Sequence, residues 1–176
     1  MGILRKLFGK DTTTDVLELL TAQHKEVDEL IAKLEHGSGP RRGLLVQLAD
    51  RLAAHATVEE KLFYPAIMAK KTEDQLHEAV EEHLSIKRLL ADMIEMRLDD
   101  DSFDAKLAVL KEQVRHHAHQ EEEGELFPEV KDMLSADERA ALGNEVLVMF
   151  EELMQGHPSQ QVPKQTAQAA KLPSLR

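Results

Sequence analysis

Two related stretches decide the fold of this chain: HATVEEKLFYP at residues 55–65 and HAHQEEEGELFP at residues 117–128. Each stretch begins with a histidine, has a glutamate four residues later, and ends with Leu-Phe close to a proline. Residues four apart lie one turn apart on the same face of an α-helix. The stretches therefore predict two helices that each project a histidine and a carboxylate in one direction.

A further histidine precedes each stretch, on the helix before it. His24 is followed at helical spacing by Val27, Leu30 and Ile31, and His83 by Ile86, Leu89 and Leu90 in the same arrangement. The chain thus contains an internal repeat in which one helix offers a histidine and the next offers a histidine and a glutamate. In an antiparallel bundle these side chains can project inward at similar heights.

Apolar residues recur at helical spacing through most of the chain and predict an all-α fold. Hydrophobic residues make up 42% of the chain and aromatic residues only 3%, which favours helices over a β-sandwich or a barrel. Capping boxes at Thr72 with Gln75 and at Ser135 with Glu138 begin the third and fifth predicted helices. The predicted helices cover residues 12–36, 41–70, 73–98, 103–134 and 135–155. Their lengths and short turns predict an antiparallel up-down-up-down four-helix bundle with an extra C-terminal helix.

The domain organisation follows from the same pattern. Residues 1–11 are predicted to be an N-terminal extension, residues 12–155 the bundle domain, and residues 156–176 a disordered tail rich in Pro, Gln and Ala. The chain contains no cysteine, which excludes disulfides, iron–sulfur clusters and thiolate zinc sites. Its net charge of −11 argues against a nucleic-acid partner. Since no apolar run is long enough to span a bilayer, we expect a cytoplasmic protein without membrane contact.

The repeated histidines and glutamates fall on the face that the helical period assigns to the core. A buried carboxylate without a partner costs several kcal/mol, and four imidazoles with two carboxylates are hard to satisfy among themselves. Neutral imidazole and carboxylate are ligands for Fe, Zn or Mn, so the pattern predicts a metal site in the core. The alternative is a set of buried histidines bonded to neighbouring polar groups. A ferritin-like site is disfavoured because no histidine has a glutamate three residues before it.

The second carboxylate is ambiguous between Glu121 and Glu122. When inward positions are counted downstream at helical spacing from Leu110 and His117, the next one is Glu121. When they are counted back from Leu126, it is Glu122. Since the proline also lies one residue farther from the histidine in the second stretch, we predict a single π-type bulge there. Such bulges often occur at functional sites.

The set of motifs resembles the hemerythrin-like cation-binding family over residues 12–155. The resemblance implies a four-helix bundle around an oxo- or hydroxo-bridged pair of iron ions, with Zn or Mn as the less favoured metals. It implies that one of Glu121 and Glu122 bridges the ions, and oxygen-carrying relatives favour Glu122 because their carboxylate lies five residues after the histidine. The other implied ligands are His24, His55, His83 and His117 as terminal ligands, and Glu59 as the second bridge.

The chain departs from oxygen-carrying hemerythrins on its third helix, where those proteins have two histidines four residues apart. Here Ala79 lies four residues before His83 and Lys87 four residues after it. The site therefore has fewer nitrogen ligands and resembles those of members that respond to nitric oxide or peroxide or that handle iron. Tyr64, one turn past Glu59, is a candidate hydrogen-bond donor behind the ligands.

The leading hypothesis is a non-haem di-iron protein that binds or reacts with O2, NO or H2O2 in its core. If it turns over, it would be an oxidoreductase that consumes peroxide or nitric oxide. The second hypothesis is an iron storage, sensing or delivery protein without turnover, and the third is a purely structural metal bundle. The five remaining histidines are expected at the surface: His36, His77, His116, His119 and His157.

Overall fold

The computed structural model describes residues 14–175, and all of the regular structure in this range is helical. The predicted N-terminal extension, residues 1–11, lies outside the described residues. No helix in residues 14–175 has both the length and the apolar character needed to cross a membrane. The α-helices are α1 Val16–Glu35, α2 Arg41–Val58, α3 Tyr64–Ile67, α4 Glu73–Glu95, α5 Phe103–Arg115, α6 Phe127–Met133 and α7 Ala136–Gln155.

Two π-helical segments interrupt the helices that carry the repeated stretches. The first, Glu59–Phe63, joins α2 to α3, and the second, His116–Leu126, joins α5 to α6. Pro65 and Pro128 each follow closely after a π segment. A proline ring clashes with the carbonyl four residues earlier in an α-helix, and the wider π turn relieves that clash. The expected π-type feature in the second stretch is present, but the first π segment was not predicted, since only a kink or a lost hydrogen bond was expected at Pro65.

The apolar core consists of two clusters with a polar layer between them. On α1, Leu20 belongs to one cluster and Val27 to the other, and His24 lies between them. On α4, Val80 and Ile86 belong to the two clusters in the same way, on either side of His83. The histidines of the repeat therefore occupy one layer of the helical bundle, shielded by apolar side chains above and below.

The two expected capping boxes have different outcomes. The Ser135 side chain accepts from the Glu138 N–H, and the Glu138 carboxylate accepts from the Ser135 N–H, so this capping box is confirmed. Thr72 makes no side-chain cap, because its backbone already has helical angles and its hydroxyl donates to the Ile67 carbonyl at 2.7 Å. Thr72 thus fastens the loop before α4 rather than the first turn of that helix.

The C-terminal segment departs from the expected disorder of residues 156–176. Pro158–Lys164 form a 3-10 helix against α2 and α4, and Val162 is fully buried in the core cluster that contains Val27. The Ser159 N–H donates to buried Asp50 at 2.9 Å, and Arg88 donates to the Thr166 carbonyl at 2.9 Å. A few well-placed contacts hold the segment, and overall composition does not reveal them.

Gly143 on α7 is expected to be intolerant of any side chain. A Cβ atom there would overlap the Thr14 carbonyl oxygen and approach the Val16 nitrogen to 2.9 Å, and both are backbone atoms. We expect Gly143→Ala to lower the free energy of unfolding by about 2 kcal/mol or more. The matched control is Gly43→Ala on α2, where the added Cβ meets only a Pro40 ring carbon at 3.7 Å. That change should stabilise the chain by about 0.5 kcal/mol, and equal effects of the two changes in urea unfolding would contradict the packing of α7 against residues 14–16.

Candidate metal centre

The four histidines of the repeat form two facing pairs in the polar layer. The Nε2 atoms of His24 and His55 are 3.2 Å apart, and those of His83 and His117 are 3.0 Å apart. All four side chains are buried. Two neutral rings that face each other through their Nε2 lone pairs repel, so each pair requires a proton or a metal cation between its members.

Two buried glutamates span the histidine pairs. Glu59 places Oε1 3.2 Å from His55 Nε2 and Oε2 3.2 Å from His83 Nε2. Glu122 places Oε2 3.1 Å from His24 Nε2 and Oε1 3.8 Å from His117 Nε2. Each carboxylate therefore gives one oxygen to each pair, which is the arrangement that a bridging carboxylate has between two metal ions.

The carboxylate oxygens on the His24–His55 side lack hydrogen-bond partners. Glu59 Oε1 and Glu122 Oε2 are both buried, and neither accepts a hydrogen bond with acceptable geometry. Leaving a buried acceptor unsatisfied costs about 1–3 kcal/mol, and more for a charged group. A cation at this point would satisfy both oxygens and both imidazole nitrogens, so the residues present fit a metal ion.

Each inward histidine is held from behind by a hydrogen bond at its Nδ1 atom. A ring that donates through Nδ1 presents its Nε2 lone pair to the centre, and such outer partners are typical of histidine metal ligands. Every partner is the sequence neighbour of an inward residue on another part of the bundle. Sequence reasoning missed this set, although polar residues flanking each inward position were a visible signal. The pairs are His24–Glu123 at 2.6 Å, His55–Gln23 at 2.8 Å, His83–Glu60 at 3.0 Å and His117–Glu82 at 2.8 Å.

The structure places Glu122, and not Glu121, in the polar layer. The Glu122 side chain is 1% exposed, whereas that of Glu121 is 26% exposed and contacts His116 at 2.9 Å. The π segment explains the choice, because its wider turn brings residues five apart to the same side of the helix. His117 and Glu122 thus share a face, as His55 and Glu59 do four residues apart at the end of α2.

Tyr64 lies against only one half of the centre. Its hydroxyl donates to Glu122 Oε1 at 2.8 Å and lies 3.4 Å from Glu59 Oε2. The same oxygen is 3.4 Å from His83 Nε2 and 3.5 Å from His117 Nε2. Burial and the neighbouring Glu122 hold the Tyr64 pKa well above its usual value, so the side chain is a neutral donor near pH 7. The pair His83–His117 therefore has a tyrosine hydroxyl beside it, which distinguishes it from the pair His24–His55.

Two of the ligand-type histidines hold protons tightly in the metal-free chain. Burial lowers the pKa of His24, but the carboxylates of Glu122 and Glu123 beside its ring outweigh burial and raise it to about 10. Burial likewise opposes protonation of His83, and Glu59 with Glu60 raises its pKa to about 9. Burial raises the pKa of Glu59, but the facing histidines hold it well below its usual range. Protons and metal cations therefore compete for the same nitrogen atoms.

A small apolar cavity lies beside the four histidines, with a volume of about 30 Å³. It is lined mainly by aliphatic side chains, among them Leu52, Ile86 and Val114. Lys87 also lines it, and its ammonium group is paired with Glu60 at 2.7 Å. A space of this size holds about one water-sized molecule, which excludes organic substrates from the centre.

Of the other histidines, His116 is exposed as expected, whereas His119 is half-buried, with its ring 6.0 Å from that of His24. The His116 side chain is 52% exposed and that of His119 is 33% exposed, the latter bonded to Asp28 at 2.8 Å. The remaining three histidines, His36, His77 and His157, are exposed as expected.

Comparisons with known proteins agree with this centre. The family model described as the hemerythrin HHE cation binding domain matches residues 15–130. A DNA nickase from a Nostoc species is 25% identical over 126 residues, which cover 70% of this chain and 36% of that protein. The chain thus spans about a third of the length of the curated relative that it matches. No solved structure matches the chain.

Proposed function

The chain belongs to the hemerythrin HHE cation-binding domain family, and from this premise we propose that its bundle holds two iron ions that bind or react with a small ligand. The observation that supports two ions is the placement of the two carboxylates, each with one oxygen toward each histidine pair. Four imidazoles and two carboxylates suit iron better than Mg²⁺ or Ca²⁺, which prefer oxygen ligands alone. We propose for the bundle an antiparallel up-down-up-down order of its long helices.

In this proposal some side chains would bind the metal ions and others would orient the ligands. His24 and His55 would hold one ion, His83 and His117 the other, and the four partners at Nδ1 keep the rings oriented. Bound iron would supply an open coordination position and electrons for O2, NO or H2O2. The apolar cavity supports a small ligand, because a volume of about 30 Å³ beside the histidines has no room for a larger molecule.

The test is an anaerobic reduction followed by exposure to each candidate ligand. We expect the visible spectrum of the iron-loaded chain to change on addition of O2, NO or H2O2, with loss of peroxide if the protein is an oxidoreductase. A chain that keeps its iron and responds to none of the three would instead support storage, sensing or delivery of iron without turnover. A metal-free chain treated in the same way is the control.

A nucleic-acid partner is not part of this proposal. The name DNA nickase belongs to a longer protein, and this chain spans only about a third of its length. A net charge of −11 is unfavourable for binding a polyanion, since such binding rests on Lys and Arg contacts to phosphate. The proposed partner is the small ligand alone.

Tyr64→Phe removes the hydroxyl that lies beside His83 and His117 and leaves the buried ring in place. In the metal-free chain Glu122 Oε1 loses its donor at 2.8 Å, so we expect the free energy of unfolding to fall by about 1–3 kcal/mol. The chain should still bind two metal ions, and the visible spectrum of the iron-loaded form should shift. Calorimetry and spectroscopy check the two parts, and Phe63→Leu, which changes the neighbouring buried ring without touching a ligand, should leave the spectrum unchanged.

A further inference from the structure

Outside the proposed di-iron centre, a second group of potential metal ligands lies at the surface. His116 Nε2 lies 2.9 Å from Glu121 Oε1 and 3.7 Å from Glu82 Oε1. The three ligand atoms lie within 4.8 Å of one another, and the carboxyl groups of Glu82 and Glu121 are in hydrogen-bond contact. We call these three residues the outer cluster.

The orientation of His116 favours a cation in the outer cluster. Its Nδ1 atom pairs with the Gln120 side-chain oxygen at 2.9 Å, which leaves Nε2 to face the two carboxyl groups. In the metal-free chain protons hold this group together, because a hydrogen bond between two carboxyl groups requires a shared proton, and a divalent cation can take the place of such protons. One imidazole and two carboxylates form a ligand set for Fe²⁺, Mn²⁺ or Zn²⁺. Since the ring is half exposed, an ion can reach it from solvent.

Residues of both the outer cluster and the buried centre line one cavity. It has a volume of about 130 Å³, and its walls include His116 and Glu121 on the outside and His117 and Glu122 on the inside. Glu122 is 1% exposed, and its Oε2 atom lies 3.1 Å from His24 Nε2. The cavity therefore ends at a buried carboxylate of the proposed di-iron centre, which faces both histidine pairs.

Glu82 links the outer cluster to the centre through its two oxygens. Oε1 faces His116 at 3.7 Å, and Oε2 accepts from His117 Nδ1 at 2.8 Å. Glu78 and Glu125 add further carboxylates to the cavity wall. A cleft lined by one sign of charge raises the local concentration of the opposite ion and speeds its entry.

We propose that the outer cluster is a third, weaker metal site that captures a divalent cation such as Fe²⁺ and passes it through this cavity to His117 and Glu122. The proposal rests on the proposed function, because it supplies the metal for the buried centre. No redox or covalent step is involved, since the ion exchanges water and carboxylate ligands only.

The test counts Co²⁺ sites and measures how fast they fill in the metal-free full chain, with Co²⁺ alone as the probe. We expect the unchanged chain to bind two ions tightly and a third more weakly in equilibrium dialysis. The double variant His116→Ala with Glu121→Gln should keep the two tight sites, lose the third, and fill the tight sites about tenfold more slowly at low Co²⁺ concentration. His77→Ala, which removes an exposed histidine from α4, is the matched control and should behave as the unchanged chain.

The outcomes separate this inference from the proposed function. Two tight sites with no third site, or a third site whose loss leaves the filling rate unchanged, overturns the loading site and leaves the di-iron proposal standing. Failure of the unchanged chain to bind any Co²⁺ tightly overturns the di-iron proposal itself. If the double variant melts well below the control, the single change His116→Ala, on a half-exposed ring, provides the same comparison.

Discussion

Glu122→Ala is expected to destroy the paired metal site, whereas Glu121→Ala should leave two ions bound. Glu122 is buried and gives one oxygen to each histidine pair, so its loss removes a ligand from both ions. Glu121 lies outside the layer against His116. We expect metal affinity to fall by more than about 100-fold in the first variant, since even an outer hydrogen-bond partner is worth 10–100-fold. Metal analysis after dialysis, with Mössbauer spectra of the iron-loaded forms, measures the difference.

The two adjacent glutamates are each other's control, since both changes remove the same groups from the same π segment. Loss of the pair of ions in Glu121→Ala, with retention in Glu122→Ala, would contradict the helical register described above. Retention of two ions in both variants would show that neither carboxylate is a necessary bridge.

Removal of the metal is expected to destabilise the chain, and by more at high pH than at low pH. The folded-state pKa values of His24 and His83, about 10 and about 9, lie above the ordinary value of 6.5. Protonation of these rings therefore stabilises the metal-free chain fully below pH 6.5, and this stabilisation is lost as the pH rises through 9 to 10. Metal binding displaces the same protons, so its affinity rises with pH by about tenfold per unit for each ring that releases one.

The measurement compares melting temperatures of metal-loaded and chelator-treated protein at several pH values. We expect the metal-loaded form to melt higher throughout, with a gap that widens from pH 6 to pH 9. Equal melting temperatures at every pH would place the ligands outside the core. A constant gap would contradict the competition between protons and metal at His24 and His83.

The helical pattern predicts the inward residues because apolar residues recur at a regular spacing over long helices. That spacing assigns each position to the buried or the exposed face. His24, His55, Glu59, His83 and His117 all lie in the polar layer to which the period assigns them. The period alone could not decide between Glu121 and Glu122, because the decision depends on where the chain widens into a π turn. The mismatch between the upstream and downstream periods nevertheless indicated that such a turn was present.

Other features escaped sequence reasoning for physical reasons. The partners at Nδ1, such as Gln23 and Glu60, lie next to inward residues in sequence but contact histidines from other parts of the bundle. Only the packing of the helices defines those pairs. The C-terminal segment looks unstructured by composition, but burial of Val162 and the hydrogen bond from Ser159 to Asp50 depend on a groove formed by distant residues.

The most direct test of the di-iron proposal is the metal content of the purified chain after expression with sufficient iron. Two histidine pairs joined by two carboxylates predict about two iron ions per chain, with a Mössbauer signature of a coupled pair. One ion per chain would contradict the bridging arrangement of Glu59 and Glu122. No more than a trace of any transition metal would contradict a metal centre in this bundle altogether.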